Sequence, residues 1–416
     1  MNRAMALSIA FLALCFSSMP AVSGHRNGAL DGADAYLMRT FDAIQQGRYG
    51  VALGEIDRVV AEHPNFRLAH LIRGDLLAAR TQPLKTFGST GSGTRDRVEE
   101  LRAEALARLR NHRDRPRADR YPRYLLQLDR TQRHAIVVDS SRSRVYLFEA
   151  GGGMPHLVAD YYTSIGKRGI AKTLEGDQKT PIGVYYVTSS IPGRKLPDLY
   201  GWGAFPINYP NAWDRIEGRT GYGIWLHGVP SDTYARAPQA SDGCVALANP
   251  DIEALGKSVQ AGVTPVIIAG EVEWVEAPTL AAERQAFLAQ IEAWRKDWES
   301  RDARRYLAHY SSRFRSDRMD RSAWGEHKRK VNENKAWIKV GLSNLSLLRD
   351  PGKQEVMVVS FDQDYRSSNL AQQTRKRQYW LREAGRWRIV YEGPTLGAPV
   401  KLPESFPDSR MRASTR

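Results

Sequence analysis

Two side chains in this sequence are of a type and in a setting suited to covalent chemistry. Cys244 lies in Ser241-Asp242-Gly243-Cys244-Val245-Ala246-Leu247, and His227 closes the apolar run Ile224-Trp225-Leu226 before Gly228. A thiol with an ordinary pKa of about 8.5 is mostly protonated at neutral pH, so a nucleophilic cysteine needs a base or a cation beside it. An imidazole can be both. Gly243 permits a tight backbone turn that aims the Cys244 amide and sulfur into one space, where the amides of Gly243 and Cys244 are expected to form an oxyanion hole. Taken alone, the pair also fits an inert buried thiol, because free cysteine packs as a small hydrophobe.

The rest of the composition sharpens that choice. Of the two cysteines in 416 residues, Cys15 falls in an amino-terminal stretch where Arg3 precedes an apolar run and then Ser17, Ser18, Pro20, Ala21 and Ser23. That is the layout of a signal peptide over residues 1–24, whose removal leaves Cys244 as a lone thiol in an exported, disulfide-permissive setting. The expected location is the periplasm or cell envelope, with no transmembrane segment after signal cleavage. Hydrophobic residues make up 42% and charged residues 26%, as in ordinary globular chains. The formal net charge of +15 suits an anionic partner. Lys and Arg are spread along the chain without a basic helix, zinc spacing or RNA-binding signature, which argues against nucleic acid and for carboxylate-rich wall polymers. The remaining histidines, His25, His63, His70, His112, His134, His156, His309 and His327, are scattered without ligand spacing, so neither a metal nor another cofactor is expected.

The elements that must position the pair can be read from periodicity. Apolar residues between Asp34 and Arg80 keep helical spacing, broken at Gly47-Arg48-Tyr49 and His63-Pro64-Asn65, in a pattern that resembles a tetratricopeptide hairpin. A Gly/Ser/Thr-rich loop over 82–94, a charged helix over 98–110 and a basic linker over 111–123 follow. From His134 the pattern becomes β: strands are expected at 135–138, 145–148, 157–164, 182–189, 222–226 and 264–268, with a short helix at 251–260. A separate α+β unit begins with helices at 281–298 and 303–314. Its strands are expected at 337–348, 355–365, 374–383 and 386–391, an order that resembles the cone-shaped nuclear-transport-factor-2-like (NTF2-like) fold. Its tryptophans, Trp294, Trp298, Trp324, Trp337, Trp380 and Trp387, suit core and cavity lining better than a glycan groove. The expected layout is therefore multidomain: a signal peptide over 1–24, a tetratricopeptide-like helical region over 30–125, a mostly-β catalytic domain over 132–272, an NTF2-like domain over 280–395, and a disordered tail over 403–416.

Upstream motifs decide the chemistry. Tyr162-Thr163-Ser164-Ile165-Gly166, Gly176-Asp177-Gln178-Lys179-Thr180-Pro181-Ile182-Gly183-Val184-Tyr185, His227-Gly228 and Ser241-x-Gly243-Cys244 resemble, in order, the L,D-transpeptidase (YkuD-type) catalytic domain. The resemblance covers residues 134–270, roughly a third of the chain. It implies that Cys244 attacks the carbonyl of the third stem residue of peptidoglycan to give an acyl-enzyme, that His227 is general base and acid, and that the Gly228 carbonyl orients the imidazole. It further implies that Ser241 braces the nucleophile turn and that Asp177, Thr180, Pro181 and Gly183 are scaffold beside the cleft. Peptide stems are the implied partner. An envelope protein as acyl acceptor, or other wall enzymes engaged through the helical region, are further candidates.

Two departures from the family pattern bear on the acceptor. Ala246 stands where an Arg usually follows the catalytic Cys by two residues, and Asp242 where many members carry His. A second stem as acceptor gives 3-3 cross-links, whereas water makes the same site an L,D-endopeptidase or carboxypeptidase. A different class of reading is a non-catalytic wall-binding scaffold, which the retention of both His227 and Cys244 opposes. A general cysteine protease lacks support, since no papain-like or caspase-like signature surrounds Cys244.

Overall fold

The computed structural model describes residues 33–81, 83, 86–88, 95–151 and 153–395. The expected signal peptide and the tail over 403–416 lie outside the described residues, as does most of the loop expected over 82–94. The helical region comprises α1 (Ala33–Gln45), α2 (Tyr49–Glu62), α3 (Arg67–Ala78) and α4 (Arg95–Arg113). Leu37, Ile56, Val59, Phe66, Leu68 and Ile72 form its core, as their helical spacing requires. Tyr234 and Ala248 of the following domain share that core.

The basic linker is structured. β1 (Arg120–Pro122) pairs with the later strand β13 (Trp274–Glu276), and β2 (Leu125–Gln127) adds an edge to the carboxy-terminal sheet. Segments this short carry no readable period, so pairing partners remote in sequence decide their conformation.

The central domain holds β3 (His134–Asp139), β4 (Arg144–Glu149), β5 (His156–Gly166), β6 (Gly183–Tyr186), β7 (Ile191–Pro192), β8 (Gly203–Pro206), β9 (Trp225–His227), β10 (Gln239–Ser241), β11 (Val245–Leu247) and β12 (Pro265–Ala269), with helices α5 (Ala212–Ile216) and α6 (Asn249–Gly256). The sheet runs β6-β12-β3-β4-β5-β11-β9-β8-β7, and β10 lies against β5. The strand expected at 222–226 is shifted so that His227 is its last residue. The helix expected at 251–260 begins earlier, at Asn249, where Pro250 supplies a first-turn residue with no amide to satisfy.

The carboxy-terminal domain packs α7 (Ala277–Glu299), α8 (Ala303–Leu307) and α9 (Arg321–Glu333) on the sheet β14-β18-β17-β16-β15-β2. Here β14 is Tyr310–Arg315, β15 Ile338–Arg349, β16 Val356–Ser367, β17 Leu370–Glu383 and β18 Arg386–Pro394. The helix expected at 303–314 ends at Leu307. Tyr306, Tyr310 and Phe314 fit a helical period, but Tyr310 pairs with Ile389 and the last turns become strand, so sheet pairing overrides the local pattern. Helix α9 was not expected, because its sequence is mostly polar. Asp320 caps it by accepting from Ala323 N at 2.9 Å.

Trp294, Trp298 and Trp380 are buried in the carboxy-terminal core. A second core runs between domains, joining Val137, Tyr146, Phe148, Val184 and Trp213 to Leu348, Val356, Val358, Tyr379 and Val390.

Candidate active site

Strand pairing brings the two expected reactive residues together. In the sheet β11 lies parallel to β9, with Val245 opposite Leu226 and Ala246 opposite His227. Cys244 therefore enters β11 beside Trp225, on the same side of the sheet as His227. The His227 ring is buried, and its Nδ1 lies 2.6 Å from the Gly228 carbonyl. A carbonyl only accepts, so Nδ1 carries the proton and Nε2 is left as the base. Burial presses the His227 pKa down to about 4; the bond to Gly228 opposes this and the charge of Arg236 adds to it. The ring of Tyr200 meets the imidazole edge-on at 5.0 Å and leans on Trp225 at 4.9 Å.

Gly228 must be glycine for steric reasons. A Cβ there would meet Asn249 Oδ1 at 2.2 Å and Trp202 N at 3.0 Å. Asn249 needs that space, because its Oδ1 accepts from Trp202 N at 2.9 Å and Val229 N at 3.2 Å while its Nδ2 donates to Val229 O at 2.9 Å. One amide at the start of α6 thus ties the segments on both sides of the histidine.

The nucleophile turn is braced from below. Ser241 Oγ donates to the Cys244 carbonyl at 2.6 Å and accepts from Gly243 N at 3.2 Å. Gly243 adopts φ +124, a conformation disfavoured for L side chains, and a Cβ would press on Lys179 O at 2.8 Å. Thr180 Oγ1 donates to Gly243 O at 2.9 Å and accepts from Gly166 N at 2.9 Å, which locks the turn to the end of β5. Gly243 N, one of the two amides expected to form the oxyanion hole, is the one that donates to Ser241 Oγ.

Cys244 remains partly open to solvent. Its Sγ donates to Gly223 O at 3.4 Å, rather than to His227. Burial pushes the thiol up to about 11 and Asp242 adds to the rise, against pulls from the Trp225 amide, Arg236 and Lys172. At neutral pH the resting site therefore holds a neutral thiol and a neutral imidazole, not an ion pair.

Of the other expected residues, Asp177 organises a loop. It accepts from Lys172 Nζ at 2.8 Å and from the amides of Thr173, Leu174 and Lys179 at 2.9, 3.1 and 3.1 Å. Burial would raise its pKa, but these donors hold it well below the usual carboxylate range. Pro181 precedes β6 and Gly183 opens it. Tyr200, Gly223, Arg236 and Asn249 belong to the site and were not expected from the sequence. Only the Asn-Pro start of α6 carried a local signal. Hollows of about 740 and 470 Å³ elsewhere in the molecule are lined by neither Cys244 nor His227. Among the described residues, no group of three or more His, Cys, Asp or Glu is placed to hold a metal ion.

A family description of the L,D-transpeptidase catalytic domain matches residues 133–268. The chain carries an L,D-transpeptidase catalytic domain. The Cds6 C-terminal NTF2-like domain matches residues 286–393. The L,D-transpeptidase match supports an enzyme of that family and implies a peptidoglycan substrate and a cell-envelope location. Among solved structures, Bd1075 of Bdellovibrio bacteriovorus is similar with a TM-score of 0.60 and 29% identity, covering 69% of this chain and 100% of that one. The helical cell shape determining protein Pgp2 from Campylobacter jejuni is similar with a TM-score of 0.52 and 25% identity, over 62% of this chain and 91% of that one. A Pgp2 mutant aligns at 0.54 with 22% identity over 71% and 98%, a likeness of fold. No curated protein matches the chain. Among the described residues, no helix is long and apolar enough to cross a membrane.

Proposed function

We propose that the protein is an exported, periplasmic cysteine L,D-transpeptidase that acts on peptidoglycan tetrapeptide stems through a Cys244 acyl-enzyme. The observation that carries this reading is the imidazole with Nδ1 fixed on Gly228 O, its Nε2 free, on the strand paired with the one that Cys244 opens. As substrate enters, the thiol leaves Gly223 O and gives its proton to His227 Nε2. Sulfur attacks the third-residue carbonyl, and the Cys244 amide receives the developing oxyanion. The C–N bond breaks as His227 returns the proton to the departing amine, leaving a thioester. An acceptor amine, from a second stem or an envelope protein, then takes the acyl group.

Hydrolysis is the second reading. Ala246 is buried in the sheet between Ser164 and His227 and offers no cation for an acceptor's carboxylate, which favours water. Mass spectrometry of disaccharide-tetrapeptide and cross-linked muropeptides, incubated with the mature protein or its Cys244→Ala variant, separates the cases. Cys244-dependent dimers joined through third residues are expected. Cleaved stems without dimers would establish the hydrolase, and no change with either form would leave a wall-binding scaffold.

A further inference from the structure

Arg236 lies between the two reactive residues in sequence, just before β10, and its backbone is pinned. Tyr162 Oη donates to the Arg236 carbonyl at 2.9 Å, and Ile165 N donates to Pro238 O at 2.8 Å. The segment ahead of it is held by the helical region: Tyr234 stacks on Phe66 at 4.3 Å, and Asn65 Nδ2 donates to Ser231 O at 3.1 Å. The half-buried guanidinium itself has neither a hydrogen bond nor an ion pair among the described residues. Its charge is nevertheless felt at His227 and Cys244. Asp242 does not take it, being bound by Lys167 Nζ at 3.0 Å and Gln178 Nε2 at 3.1 Å.

A cation drawn partly out of water without an anion is unfavourable, and burial accordingly lowers the Arg236 pKa. The planar fork of a guanidinium matches a carboxylate through two parallel hydrogen bonds. A peptide stem cut at its third carbonyl by Cys244 presents such a group one residue further on, at the end of the departing residue. We infer that Arg236 binds the terminal carboxylate of the donor stem and thereby sets which carbonyl lies over Cys244. This rests on the acyl-transfer reading above, and it makes a stem with one residue beyond the scissile carbonyl the preferred donor. Stems extended by a further residue, or amidated at the end, place no carboxylate at Arg236.

The test is binding by calorimetry in the Cys244→Ala background of the mature chain, where no turnover occurs. The probes are disaccharide-tetrapeptide and the same compound with an amidated carboxy terminus. The free acid is expected to bind roughly ten- to a hundredfold more tightly, the worth of a charge-assisted pair. Adding Arg236→Gln abolishes that preference, and Arg236→Lys restores part of it. Both substitutions leave the Arg236 carbonyl in place for Tyr162, so the loop clamp is kept. A preference that survives Arg236→Gln undiminished would overturn the inference while leaving the site reading intact. Equal loss of both ligands in the Gln and Lys variants would overturn it too, as the signature of a merely structural arginine. If Cys244→Ala binds neither compound, the stem-substrate reading fails and this inference with it.

Discussion

At the scale of single residues, the resting site holds two neutral partners. With the thiol at about 11, alkylation of the free protein by iodoacetamide is expected to be slow at pH 7 and to rise through the alkaline range toward about pH 11. A rate already on its plateau near pH 7 would show a preformed thiolate. The imidazole shift works the other way. A base whose pKa is lowered to about 4 stays unprotonated across the neutral and mildly acidic range, so kcat/KM on tetrapeptide stems is expected to hold down to about pH 5 and fall as pH drops through about 4. Loss of activity already at pH 6.5 would mean that His227 titrates as an exposed histidine. Cys244 and His227 were legible in the sequence because each sits in a local motif. Tyr200 and Arg236 were not, since each reaches the site from a segment with no motif of its own, and the Asn-Pro start of α6 marks a helix but not the role of Asn249.

Among the elements, the nucleophile turn is held by contacts that close only in three dimensions. Thr180 Oγ1 spans Gly166 N and Gly243 O from a fully buried position. Replacing it by Val leaves both groups buried without a partner, at a cost of about 1–3 kcal/mol each, in part offset by relaxation. Thr180→Val is therefore expected to lower stability in urea titrations and to reduce kcat more than it raises KM, because the turn carries the sulfur and not the substrate. Unchanged kcat would remove Thr180 from the support of Cys244. Sequence periodicity located β3, β4, β5 and β12, but not β10 and β11, the short strands that flank this turn. It failed at β14, where Tyr306, Tyr310 and Phe314 have a helical spacing that the pairing of Tyr310 with Ile389 overrides. It also passed over β1, β2 and β7, which have too few residues to show any period.

Across the whole molecule, the helical region and the carboxy-terminal domain are both tied into the catalytic domain. Buried ion pairs join α1 and α4 to β4 and β5: Arg144 meets Asp34 at 3.1 Å and Asp160 at 2.6 Å, and Arg108 meets Glu104 at 2.8 Å and also pairs with Asp34. Such pairs add little net stability but penalise any arrangement that separates them, so they fix how the helices sit. Tyr234 completes the contact by stacking on Phe66, with His63 at 4.6 Å. Tyr234→Ala is expected to destabilise the protein by about 3–4 kcal/mol, the scale of a truncated buried aromatic, and to reduce activity by loosening the loop between His227 and Cys244. Normal turnover in a destabilised variant would confine the helices to a structural role. The shared core of Val137, Val184 and Trp213 with Leu348, Val358 and Tyr379 makes a second prediction. Calorimetry is expected to show the catalytic and carboxy-terminal domains melting in one transition, and two well-separated transitions would show that this core does not couple them.

The acyl-enzyme is the claim on which all of this depends, and intact-protein mass spectrometry reads it directly. Wild-type protein mixed briefly with disaccharide-tetrapeptide is expected to gain the mass of a disaccharide-tripeptide acyl group, located on Cys244 after digestion and absent from Cys244→Ala. Stem processing that proceeds at the wild-type rate in Cys244→Ala, with no adduct in either form, would contradict it.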